Sequence, residues 1–225
     1  MPMKFFWRLL LILLGTLALA TGCEDDNASD DDADDDWDDG DDVIVTNEPR
    51  PELYVVMGDG LSTGVGLGER APWPYRLERK LKKTVHDAAK GGTRIDYGVA
   101  NIASILGTYE PSHVLILYGS NDVGAENASD YIAASLLQMV EIAKSSNVIP
   151  VIATLPPLYE REGDVIARLR RVNDKIRSMA DVEDVPLADL EAEFGSNRDL
   201  IQADGLHPTP EGHEVIATEF YNAVR

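Results

Sequence analysis

From residue 53 to the C-terminus, short uninterrupted apolar runs alternate with longer stretches that are apolar on one side only. The runs predict strands at Leu53–Met57, Thr84–His86, His113–Tyr118, Val148–Thr154 and Pro186–Ala188. The longer stretches predict helices at Pro74–Lys83, Tyr97–Tyr109, Ala128–Ser145, Asp164–Asp181 and Pro210–Val224. Leu115-Ile116-Leu117 and Val148-Ile149-Pro150-Val151-Ile152 are apolar through successive residues, as a strand covered on both faces requires. Strands that each lead into a helix imply a parallel sheet with right-handed crossovers and helices on both faces. The expected fold is therefore a single α/β domain over residues 50–225 with a five-stranded parallel sheet. A domain of that length can bury a sizeable core.

The first 49 residues break this pattern. Lys4 and Arg8 precede an apolar run from Leu9 to Ala20, which is short of the ~20 residues a membrane-spanning helix needs. Ala20-Thr21-Gly22-Cys23 ends it and resembles a bacterial lipobox, which implies cleavage before Cys23 and lipid on that residue. Cys23 is the only cysteine, so the domain has no intrachain disulfide and must stand on its core. Residues 1–23 are thus expected to be a lipoprotein signal peptide. From Glu24 to Asp42, 13 of 19 residues are acidic and none is basic. Such a segment repels itself and cannot bury apolar surface, so residues 24–49 are expected to be an extended, disordered tether. It lacks the Asp-x-Asp-x-Asp-Gly spacing of a calcium loop, and no metal or other cofactor is expected. From Val43 onward 27 acidic residues still face 18 basic ones, which argues against nucleic acid as a partner.

The chemistry is expected at strand C-terminal ends, where ligands of open α/β sheets sit. The first strand runs straight into Gly58-Asp59-Gly60-Leu61-Ser62, a tight turn opening a helix. Three further segments fall at comparable loop positions: Gly91-Gly92-Thr93, Gly119-Ser120-Asn121-Asp122 and Asp204-Gly205-Leu206-His207-Pro208. In this order and spacing the four resemble the blocks of the SGNH hydrolase superfamily, the GDSL-type esterases and lipases. The small bacterial periplasmic thioesterase/lysophospholipase branch is similar in particular, and Trp73-Pro74 suits that branch.

The resemblance implies a flavodoxin-like three-layer α/β/α domain and acyl transfer from an ester to water by a Ser-His-Asp-type site. It makes His207 the general base, Asp204 the acid that orients it, and Asn121 and the Gly92 N–H oxyanion donors together with the Gly60 N–H. Gly98 competes with Gly92, but its spacing to Asn121 suits the start of a helix. The departure is Gly60, which stands where the family carries its nucleophilic serine. Glycine has no side chain, so covalent catalysis through that position is excluded.

Ser62 could substitute. However, two positions along a helix turn a side chain by ~200°, which would aim it away from His207. Asp59 is expected to accept turn N–H groups, Met57 and Trp73 to be core, and His86, His113 and His213 to lie on element surfaces. The expected protein is a monomeric, lipid-anchored component of the cell envelope, on the outer membrane where two membranes exist. Its substrate or ligand is a small acyl ester or lipid. It is either an ester hydrolase or a pseudoenzyme that binds such a ligand.

Overall fold

The computed structural model describes residues 52–68, 72–159, 161 and 163–225. Residues 1–51, which include the leader with Cys23 and the whole of the acidic tether, lie outside the described residues.

Five parallel strands form one sheet in the order β2-β1-β3-β4-β5. They are β1 (Tyr54–Gly58), β2 (Val85–Asp87), β3 (His113–Leu117), β4 (Ile149–Ala153) and β5 (Leu187–Ala188). This is the flavodoxin-like order, with the reversal of winding at β1 and β3. Central strand β1 is buried at all five positions, and β3 and β4 are buried except at their first residue. That is why their sequences are apolar without alternation.

The helices that connect the strands sort into two groups by their packing. Helix α2 (Trp73–Leu81) and the C-terminal α8 (Pro210–Ala223) pack together on one face. Helices α3 (Ile95–Tyr109), α5 (Ser129–Ser145) and α6 (Gly163–Glu183) pack in sequence on the other. Trp73 stacks on Phe220 with ring centroids 4.4 Å apart, and both rings are fully buried. Such a pair adds roughly 1 kcal/mol beyond its area burial and fixes α2 against α8. Thr209 caps α8 by accepting the Gly212 N–H at 3.2 Å, and Pro210 supplies the preset φ of a first helical residue.

Three short helices sit directly after strands or strand loops: α1 (Gly60–Thr63), α4 (Ser120–Gly124) and α7 (Leu190–Phe194). At four or five residues they are too short to display a helical period. One surface expectation is corrected. His213 is fully buried, because the first turn of α8 drives it under the start of α2, where its Nδ1 accepts the Trp73 backbone N–H at 3.2 Å. His86 and His113 are half-buried and stack on Tyr109 and Tyr54.

Candidate active site

The turn after β1 is built around Asp59. Its Oδ1 accepts the Leu61 N–H at 3.0 Å, which caps α1, and its Oδ2 accepts the Ser120 hydroxyl at 2.6 Å. The carboxyl is completely buried, and burial pushes its pKa up to about 6 against the opposing pull of the Ser120 and Leu61 bonds. Asp59 therefore locks the ends of β1 and β3 together rather than facing a ligand.

Gly60 follows as the first residue of α1, and its N–H has no partner among the described residues. Its backbone is outside the left-handed region, so an L side chain is admissible. A Cβ built there would point at His207, 2.8 Å from Nε2, with Val65 Cγ2 3.6 Å away.

His207 and Asp204 arrive on the loop before α8. His207 Nδ1 lies 2.6 Å from Asp204 Oδ2, while Asp204 Oδ1 accepts the backbone N–H groups of Leu206 and His207 at 2.9 and 3.0 Å. One carboxylate thus closes the turn and orients the ring, which leaves Nε2 as the atom facing position 60. Partial burial tends to raise the Asp204 pKa, but the His207 bond and the two N–H groups outweigh it and hold it below its ordinary value. The His207 side chain is 19% exposed, so its imidazole is largely covered and reaches solvent only in part.

The oxyanion candidates converge on the same end of the sheet. The Lys90 N–H donates to the Gly58 carbonyl at 2.9 Å, which pins the loop after β2 beside the turn. Gly92 follows at φ +73°, a conformation that favours glycine, and a Cβ there would meet nothing within 4 Å. The Asn121 amide reaches this loop: Nδ2 donates to the Thr93 carbonyl at 2.8 Å and stands 3.5 Å from Asp59 Oδ2. Gly119, at φ +122°, makes the turn that starts α4 and presents Asn121. Gly98 lies inside α3, where a Cβ would stand 2.9 Å from the Tyr118 ring and 3.0 Å from Met139. Its lack of a side chain serves helix–sheet packing.

Ser62 is not brought to this group. It is fully buried, accepts the Trp73 indole N–H at 3.2 Å, and packs its hydroxyl against the Cα of Gly58. The α1 helix turns it inward, away from the direction in which Gly60 faces His207, as the ~200° offset of two helical positions requires.

Sequence reasoning missed Asp122 and Ser120. Asp122 is buried and caps α3 by accepting the Ile95 N–H at 2.9 Å, while its other oxygen takes the Asn127 amide at 2.8 Å. Neither role has a local pattern, since each bond joins residues far apart in sequence or outside a regular element. Among the described residues no group of three or more His, Cys, Asp or Glu is placed to hold a metal ion.

Comparison with known proteins places the fold. The GDSL-like Lipase/Acylhydrolase family profile matches residues 56–215. Thioesterase 1/protease 1/lysophospholipase L1 of Escherichia coli (strain K12) is 27% identical over 170 residues, which are 74% of this chain and 80% of that protein. Esterase TesA of Pseudomonas aeruginosa is 27% identical over 173 residues, 74% of this chain and 84% of its own. Among solved structures, TesA superposes with a TM-score of 0.67 at 22% identity over 77% of this chain and 98% of that one. A lipolytic protein of the G-D-S-L family from Veillonella parvula gives 0.69 at 17% identity over 76% and 96%. At these identities the structural matches establish the shared fold.

Proposed function

Because the chain belongs to the GDSL-like lipase/acylhydrolase family, we propose that it binds small acyl esters or thioesters at the strand ends and hydrolyses them only through water activated by His207. Asp204 orients His207. The Gly60 N–H, the Gly92 N–H and the Asn121 amide receive the charge that develops on the carbonyl oxygen. Gly60 supplies no nucleophile, so no acyl-enzyme forms: His207 takes a proton from the attacking water as the tetrahedral adduct forms and returns it to the leaving alkoxide or thiolate as the adduct collapses to the free acid.

The observation that carries this reading is the direction of Gly60: its open side faces His207 Nε2 with no other side chain between them. A serine-hydrolase site stripped of a triad member retains ~10³–10⁴-fold catalysis over water from the oxyanion hole and binding. That is the scale of turnover expected. The test compares the full chain with Gly60→Ser on short-chain aryl esters and acyl thioesters. Slow turnover in the first and a large rise in the second support the reading; equal rates sink it.

A second reading, a pseudoenzyme that binds an acylated lipid or sugar without cleaving it, is favoured by Asn121. One of its amide protons goes to Thr93 and the other is directed at Asp59, so the donor is engaged before any substrate arrives. Saturable binding of an acyl ester with hydrolysis no faster than in buffer would select it.

We further propose that the chain is a monomeric lipoprotein of the cell envelope, anchored through Cys23 with residues 24–49 as a tether and, where two membranes exist, held at the outer one. The residue after the cysteine supports the last point, being Glu24 rather than Asp. Palmitate labelling that persists in Cys23→Ala would overturn the anchor.

A further inference from the structure

Gln202 joins the two halves of the candidate site. It lies just before the Asp204 turn, and its backbone closes that turn twice. Its N–H donates to the His207 carbonyl at 2.8 Å, and its carbonyl accepts the Gly205 N–H at 3.0 Å. The side-chain amide then uses both protons. Nε2 donates to the Pro208 carbonyl at 2.8 Å, on the His207 side, and to the Val65 carbonyl at 2.9 Å, on the segment that leaves α1.

Val65 is 43% exposed, yet its Cγ2 stands only 3.6 Å from the place of a Cβ on residue 60. The apolar side chain therefore borders the space between Gly60 and His207 while its carbonyl is held from behind. Gly66 completes the clamp. Its φ of +78° carries the backbone past the amide, and a Cβ there would approach Gln202 Oε1 to 3.2 Å. No packing demand explains an amide at 202: the residue is only partly buried, and its two protons are spent on carbonyls 137 and 6 residues away.

We propose that Gln202 is a positioning residue. It sets the separation between position 60 and His207 and holds Val65 as the apolar wall beside the reacting carbonyl. The proposal rests on the reading of the site given above. A general base must stand within hydrogen-bond reach of the group it deprotonates, and a displacement of about 1 Å can cost roughly 100-fold in rate.

The test uses the full chain carrying Gly60→Ser, with p-nitrophenyl acetate as substrate. Gln202→Leu removes both donors. Gln202→Glu keeps the shape, removes the donors, and serves if the leucine variant does not fold. Each is expected to lower kcat roughly 10- to 100-fold with KM changed by less than about threefold. Thermal unfolding is recorded alongside, because a merely structural residue would lower the melting point without this split. A folded Gln202 variant with kcat within about twofold of its Gly60→Ser parent overturns the proposal. If Gly60→Ser itself is inactive, the reading of the site fails, and Gln202 is then decided in the unsubstituted chain by proton NMR. The proton shared by His207 Nδ1 and Asp204 across 2.6 Å should shift or broaden in Gln202→Glu. An unchanged resonance overturns the assignment.

Discussion

His207 Nε2 stands 2.8 Å from the point that a side-chain carbon on residue 60 would occupy. Real Cβ atoms essentially never come that close to another heavy atom, so the imidazole has settled into space that a serine would fill. The contact is with the far end of a flexible side chain, and the Gly60 backbone already accepts an L residue. Gly60→Ser should therefore fold normally, move the His207 ring outward by about half an ångström, and bring Oγ to roughly 2.6–3.2 Å from Nε2. Ester hydrolysis should rise ~10³-fold or more. A crystal structure and a rate measurement check both halves. A rise of less than about tenfold with Oγ in place would mean that the oxyanion donors, not the missing hydroxyl, limit the site.

Ser62 is predicted to matter for stability and not for chemistry. Ser62→Ala leaves the buried Trp73 indole N–H without its 3.2 Å acceptor. A stranded buried donor costs about 1–3 kcal/mol, readable as a lower denaturation midpoint at unchanged slope. In the Gly60→Ser chain the added Ser62→Ala should leave ester turnover per folded molecule the same. Abolished turnover would restore Ser62 as a nucleophile.

The parallel sheet was readable because β1, β3 and β4 are covered on both faces and so are apolar at consecutive positions. The long helices were readable from their one-sided periodicity. Asp204 and His207 were readable as a pair because the turn that joins them is local: three residues bring the carboxylate onto the ring. What escaped was set by contacts between distant segments. His213 carries no sign in its neighbourhood that the Trp73 N–H, 140 residues earlier, will take its Nδ1. Gln202 looks like a surface residue until the loop after α1 is folded against it. Gly98 was legible as a helix residue, but the reason for its missing side chain is the Tyr118 ring across the layer boundary.

Asn173 should be among the costliest single positions outside the site. It is fully buried on α6, where Oδ1 accepts the Leu155 N–H at 2.8 Å and Nδ2 donates to the Leu155 carbonyl at 2.9 Å. The side chain thus completes the backbone pairing of the residue that leaves β4. Asn173→Leu would leave a buried N–H and a buried C=O unpaired, each worth about 1–3 kcal/mol. A loss of at least roughly 2 kcal/mol in urea unfolding is expected. A change below about 0.5 kcal/mol would show that water replaces the amide.

Two buried groups should give the fold opposite responses to acid. Burial lowers the His213 pKa to about 4, with the charges of Arg76 and His207 adding to it, from an ordinary 6.5. The unfolded chain then binds a proton at His213 before the folded one does, so this group's stability is full above 6.5 and is lost as pH falls through about 4. Asp59 behaves inversely. Burial raises its pKa from 3.8 to about 6, so the folded state keeps a proton that the unfolded state has released. Its contribution is full below 3.8 and is lost as pH rises through about 6. The two windows nearly coincide, and the effects offset in the unsubstituted protein. Each pKa unit corresponds to 1.36 kcal/mol, so either substitution should unmask a change of roughly 2–3 kcal/mol between neutral pH and pH 4. Asp59→Asn should make acidification more destabilising than in the parent. His213→Gln, whose amide oxygen can still accept the Trp73 N–H, should make it less so. Urea unfolding of the three proteins at pH 7, 5.5 and 4 checks the signs, and parallel curves for parent and variants would refute the assignment of these two groups.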